Sequence, residues 1–149
     1  MKNVLITGGL GYIGSHIAVE LLKRTDISGN YLYNIFIIDN LENSSFDVQD
    51  DILEVTKNYD SENRLDVAIF DILKMGTTTE YFKKNKFDVI IHCAGKKSVS
   101  ESIEKPLNYY IQNLPLLMIL LSKVQKYNIK EFIFSSSATV YGKREGVDN

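Results

Sequence analysis

The segment Thr7-Gly8-Gly9-Leu10-Gly11-Tyr12-Ile13-Gly14-Ser15 follows directly on a short apolar run and opens an amphipathic stretch. Glycines with this GxxGxxG spacing between a strand and a helix restrict the fold more than any other feature of the chain. Gly8 permits a tight turn, Gly11 lets backbone approach a pyrophosphate, and Gly14 lets helix and strand pack closely. The free N–H groups and positive end of the helix then offer a seat for phosphate.

The rest of the chain repeats the same unit. Apolar runs rich in Ile, Val and Phe at residues 4–7, 35–39, 65–70, 88–92 and 131–135 read as strands buried on both faces. Amphipathic stretches at 12–24, 47–58, 78–86 and 105–127 read as helices, giving βαβαβαβαβ order. The expectation is an α/β fold, a doubly wound parallel sheet of the Rossmann type with right-handed crossovers. Pro106 suits a helical first turn, and Pro115 is expected to kink or split the last helix. Residues 25–34, with Gly29 and Asn30, read as an insertion before the second strand, and 43–50 as a loop.

Composition excludes several classes. The 149 residues suit one domain and leave no room for a separate substrate lobe. Seventeen Lys and Arg against 19 Asp and Glu form no long basic run, so nucleic acid is not an expected partner. The longest apolar run, 114–121, contains Pro115 and falls well short of the roughly 20 residues that span a bilayer, so no membrane segment is expected. A single cysteine, Cys93, and no secretory signal point to a cytoplasmic location.

Asp39 closes the second strand, somewhat farther from Gly14 than the roughly 20 residues usual for the carboxylate that binds an adenosine ribose; the insertion accounts for the difference. A carboxylate there repels a 2′-phosphate and favours NAD over NADP. Asp71, after the third strand, is a second candidate at the same edge of the sheet. His92 lacks a partner at metal-ligand spacing, with only His16 besides, so no metal site is expected and His92 reads as a packed histidine. Cys93, beside Ala94 and Gly95, reads as a small residue at a close backbone approach. The cluster Ser135-Ser136-Ser137 ends the fifth strand, where an internal strand of such a sheet displays catalytic hydroxyls.

In sequence order, TGGLGYIGSH, DNLENS, FDI, HCAGKKSVSES, KPLNYYIQN and FIFSSSATVYG resemble the N-terminal part of the UDP-galactose (UDP-glucose) 4-epimerase family, extended short-chain dehydrogenases/reductases. The resemblance runs from about residue 2 to residue 142. It implies a tightly held NAD, with Gly8, Gly11, Tyr12, Ile13 and Gly14 along the pyrophosphate. Asp39, Asn40, Leu41, Glu42, Asn43 and Ser44 are then expected around the adenosine ribose, and Asp71 and Ile72 flanking the adenine. Cys93, Ala94, Gly95, Lys96 and Lys97 are expected to line the pyrophosphate and nicotinamide ribose, Lys97 in the place of the family's AGxK lysine. Asn113 matches the family's helix asparagine, and Ser135 joins the cofactor set.

The family reaction oxidises the sugar C4 hydroxyl, rotates the 4-keto sugar and returns the hydride to its other face. Ser137 matches the serine that hydrogen-bonds the reacting hydroxyl, with Thr139 beside it. The family's base is the Tyr of a YxxxK helix turn, where the Lys ammonium favours the phenolate. No Tyr of this chain has Lys four residues on, and Tyr141 belongs to the segment that precedes the family's catalytic helix. The resemblance also implies that the UDP-sugar lobe is not among these 149 residues. The chain is therefore expected to bind NAD weakly and not to epimerise a UDP-sugar alone. It is further expected to expose apolar sheet surface and a strand edge, and to self-associate, with a homodimer as one form. Two other readings stay open: a nucleotide-sugar 4,6-dehydratase, for which Val140 and Tyr141 stand where acidic residues are expected, and a non-catalytic NAD-binding or interaction fragment.

Overall fold

The computed structural model describes residues 1–142, with the side chains of residues 138 and 139 not described. Five strands, β1 (Lys2–Thr7), β2 (Tyr33–Asp39), β3 (Leu65–Ile69), β4 (Val89–His92) and β5 (Glu131–Phe134), form one parallel sheet in the order β3-β2-β1-β4-β5. The helices are α1 (Tyr12–Leu22), α2 (Val48–Val55), α3 (Met75–Lys84), α4 (Val99–Glu104) and α5 (Pro106–Tyr127). The strand order reverses between β1 and β4. This is the topological switch point of a doubly wound sheet, where loops from neighbouring strands diverge and leave a crevice.

Side chains alternate across a strand, so each central strand feeds two cores. On one face Val4, Ile6, Ile35, Ile37, Val89 and Ile91 pack with Leu10, Ala18 and Leu22 of α1 and its approach and with Ile52 of α2. On the other, Leu5, Ile38 and Ile90 pack with Phe82 of α3, Leu120 of α5, and Ile72, Phe87 and Ile129. A fully buried Leu, Ile or Phe contributes roughly 1.5–3 kcal/mol. The central strands are therefore held in register from both sides.

The outer strands differ from the expectation of strands buried on both faces. β3 is only partly covered, and β5 is exposed at three of its four positions, including Ile133 and Phe134. β5 is an edge strand among the described residues, not an internal one.

Several element ends also differ. α2 stops at Val55 rather than running to residue 58: Thr56 leaves the helical conformation at φ −111° and ψ 15°, and its hydroxyl donates to the Ile52 carbonyl at 2.6 Å. Two short 3-10 turns, Lys57–Tyr59 and Ser61–Asn63, follow. α5 runs unbroken through Pro115. Pro115 and Ile111 lie on its exposed side, where water can donate to the Ile111 carbonyl in place of the N–H that proline lacks. The helix starts with Pro106 in its first turn and ends at Asn128 in the left-handed conformation.

Away from the crevice, the 25–34 insertion closes as a turn. Asp26 accepts the N–H groups of Ser28 and Asn30, and a single antiparallel bridge joins Thr25 to Tyr31. The buried Arg64 guanidinium donates to the carbonyls of Leu22, Tyr33 and Tyr59 and stacks on the Tyr31 ring at 3.8 Å.

Candidate functional site

One cleft opens at the C-terminal ends of β1, β2, β3 and β4. Its walls include Gly8, Gly11, Tyr12, Asp39, Asn40, Glu42, Asn43, Ser44, Asp71 and Ile72. Cys93, Ala94, Gly95, Lys96, Lys97 and Asn113 complete the sequence-predicted part of it. Topology gathers them: each strand's C-terminal loop must leave the sheet at the same edge.

The floor is the glycine loop. Gly8 has φ +69°, a left-handed conformation, and a Cβ there would stand 2.7 Å from the backbone N and Cα of Ala94. The loops after β1 and β4 therefore touch backbone to backbone, as the Cys93 N–H donation to the Thr7 carbonyl at 2.9 Å confirms. Gly14 does not line the cleft. A Cβ on it would run into Gly9 Cα at 2.7 Å, so its work is to let α1 lie against the loop. Gly11 is the N-cap of α1; no side chain caps that end and no acidic residue sits in its first turn. An uncapped helix start beneath a cleft presents N–H donors and a positive dipole end to an anion.

Asp39 is buried and bonded through both oxygens. One carboxylate oxygen accepts the Leu10 N–H at 3.0 Å; the other accepts the Leu41 N–H at 3.0 Å and the Ser44 hydroxyl at 2.7 Å. A carboxylate has about four lone-pair sites, so sites remain for hydroxyl donors. Leu41, held by this bond at φ +59°, does not itself line the cleft. Asp71 turns the chain by accepting the Leu73 N–H at 2.9 Å.

Asn113, on α5, reaches the loop after β4 with both ends of its amide. Its Oδ1 accepts the Lys96 N–H at 2.9 Å and its Nδ2 donates to the Lys96 carbonyl at 3.0 Å. The Lys96 ammonium lies 3.0 Å from Glu42, whose hydrogen bond raises its pKa, and 3.5 Å from Glu101. Burial pushes the Cys93 thiol up, which disfavours the thiolate at neutral pH.

Behind the cleft, His92 and Thr7 are both buried and share a hydrogen bond of 2.7 Å between Nδ1 and Oγ1. Burial lowers the His92 pKa to about 4, so the ring is neutral at pH 7.

Ile13 and Ser135 also lie outside the cleft lining. Ser135 donates its N–H to the His92 carbonyl at 3.0 Å. Ser137 is exposed, and its carbonyl accepts the Val140 N–H at 3.2 Å at the start of the 3-10 turn Ala138–Tyr141. Thr139 falls in that turn, its side chain outside the described part.

The cleft also includes Ile38, Phe70, Leu73, Gln112 and Leu116, none of them singled out from the sequence. Gln112 and Leu116 share the helix face of Asn113, so helical periodicity contained their signal. The short helix α4 was signalled as well: Ser98 accepts the Glu101 N–H, the S-x-x-E spacing of a capping box. The cleft thus combines a glycine-loop phosphate seat with a buried carboxylate at the end of the next strand, a donor and acceptor set that fits an adenine dinucleotide.

Comparison with known proteins agrees with that geometry. A family profile described as "NAD dependent epimerase/dehydratase family" matches residues 4–149. UDP-glucose 4-epimerase of Bacillus subtilis is 42% identical over 144 residues. A bifunctional UDP-glucose 4-epimerase and UDP-xylose 4-epimerase of Pisum sativum is 39% identical over 146 residues. These alignments cover 95% and 98% of the chain but only 38% and 39% of the relatives, so the chain spans about two fifths of their length. The fold superposes with a TM-score of 0.83 on UDP-glucose 4-epimerase of Bifidobacterium longum in complex with NAD+ and UDP. Identity there is 35%, covering 99% of this chain and 40% of that one.

Proposed function

The chain belongs to the NAD dependent epimerase/dehydratase family, and from that premise we propose that it carries the NAD-binding portion of a UDP-glucose 4-epimerase. The observation that carries this reading is the glycine loop and uncapped start of α1 lying in one cleft with the buried Asp39. In such a cleft the first-turn N–H groups of α1 hold a pyrophosphate, and Asp39 accepts ribose hydroxyls through its remaining lone pairs. Asp71 and Ile72 flank the adenine. The loop from Cys93 to Lys97, fixed by Asn113, borders the nicotinamide ribose. The same carboxylate disfavours a 2′-phosphate, so NAD binds in preference to NADP.

NAD, when bound, supplies the hydride acceptor for oxidation at the sugar C4 of UDP-galactose or UDP-glucose. Ser137 is the residue of this chain that hydrogen-bonds the reacting hydroxyl. The proton acceptor and the UDP-sugar contacts come from outside these 149 residues, since none of their tyrosines stands in a YxxxK turn. Calorimetric titration with NAD and NADP, alongside an assay of UDP-galactose turnover, tests the reading. The expected result is binding of NAD, weaker or absent binding of NADP, and no turnover by the 149-residue chain alone; turnover by that chain overturns the division of labour.

A homodimer belongs to the same proposal. Leu107, Ile111, Leu114, Met118 and Leu121 lie exposed along one side of α5 at alternating spacings of four and three. That is the seam by which two helices pack, and a second copy of this chain offers the matching seam. No helix among the described residues is long and apolar enough to cross a membrane, and a cytoplasmic setting fits the single cysteine.

A further inference from the structure

Two side chains that the glycine loop and Asp39 do not involve meet across the cleft. Glu42 belongs to the loop after β2 and Lys96 to the loop after β4, and these strands flank β1 on opposite sides. An ion pair between them therefore crosses the sheet edge where the β1 loop and the start of α1 lie. The Lys96 ammonium is 3.0 Å from Glu42 Oε1, and its side chain is 16% exposed although Glu42 is 44% exposed.

The two anchors of Lys96 are unequal. Glu101 is built into its place: its N–H donates to the Ser98 hydroxyl, and the Tyr109 hydroxyl donates to its other oxygen at 3.1 Å. Glu42 sits on an exposed turn, its N–H accepted by the Asn40 side chain. When Glu42 swings away, Lys96 keeps Glu101 at 3.5 Å. Opening the cleft thus never leaves the ammonium alone, which keeps the barrier to opening low.

We propose that Glu42 and Lys96 form a clasp over the cofactor cleft, hinged on Glu101, whose opening governs how fast a dinucleotide enters and leaves. The clasp rests on the reading of this cleft as an NAD site and adds a kinetic control to it. Because the pair is only partly shielded from water, its strength falls with added salt.

The test is stopped-flow release of NADH, displaced by excess NAD, from the 149-residue chain and from its Glu42→Gln, Lys96→Met and doubly substituted variants. Release is expected to be about two- to fivefold faster in each single variant and no faster in the double, because both substitutions break one interaction. Release from the unsubstituted chain is expected to quicken with salt more steeply than release from Glu42→Gln, since only the former loses the pair as well as the screened attraction of the dinucleotide. A chain that binds NADH but releases it equally fast with and without the pair overturns the clasp alone. A chain that takes up no NADH overturns the cofactor reading and the clasp with it.

Discussion

The Asp39 carboxylate accepts the backbone N–H of Leu10 at 3.0 Å, so the residue that ends β2 also grips the loop that leaves β1. Replacing it with alanine removes the proposed ribose acceptor and also strands two backbone donors, those of Leu10 and Leu41. Asp39→Ala is expected to cost about 1–3 kcal/mol of stability and to weaken NAD binding roughly tenfold to a hundredfold. Urea denaturation and calorimetry read the two effects separately. Full-strength NAD binding by this variant would remove Asp39 from the site.

Gly8 tolerates no side chain, for two independent reasons. Its φ of +69° strains any L residue, and an added methyl meets the Ala94 backbone at 2.7 Å. Gly8→Ala is expected to destabilise the fold by about 2 kcal/mol or more. Gly76, in α3, has nothing within 4 Å of where its Cβ would go. Gly76→Ala is expected to stabilise by roughly 0.5–1 kcal/mol. Opposite shifts of the urea midpoint check the pair.

His92 gives the fold a pH response of known sign. Its pKa is about 4 when folded and near 6.5 when unfolded, so the unfolded chain binds the proton more readily. Stability from His92 is present in full above pH 6.5, declines as pH falls, and levels off below about 4, for a loss of up to about 3 kcal/mol. Asp26 and Glu80, whose pKa values are lowered by hydrogen bonds from Asn30 and Lys83, add their own losses only at the acid end of that window and below it. Unfolding midpoints measured between pH 7 and 4 are expected to slope in the unsubstituted chain and to flatten in His92→Gln. An unchanged slope would show that His92 is not its source.

The proposed homodimer rests on the outer side of α5. Met118 is 69% exposed and Leu114 is one turn away on the same seam. Leu114→Glu with Met118→Glu places four carboxylates along a two-fold seam and is expected to shift the dimer to monomer, raising the dissociation constant at least about tenfold. Sedimentation equilibrium reads the change, and a species unaltered by both substitutions would place the interface elsewhere.

The central strands were readable because β1, β2 and β4 are buried on both faces and so appear as unbroken apolar runs. The cleft was readable in outline because parallel topology puts the residues that follow each strand at one edge. Contacts between distant residues were not. Thr7 and His92 are 85 residues apart, and Leu10 and Asp39 are 29 apart; no local pattern marks either pair. Pro115 does not split α5, because a proline's effect on a helix depends on whether the orphaned carbonyl reaches water, which only the packing of α5 decides. The edge position of β5 was hidden for a similar reason: Ile133 and Phe134 are as apolar as buried residues while standing half exposed.

The turn bridged by Thr25 and Tyr31 lies between the end of α1 and the start of β2, at the edge of the sheet opposite the cleft. Residues added or removed there change how far Gly14 and Asp39 stand apart along the chain, yet leave their separation in space untouched. A spacing rule between glycine loop and carboxylate is therefore elastic at this one place. The same turn is a site where a peptide can be grafted with the cleft undisturbed.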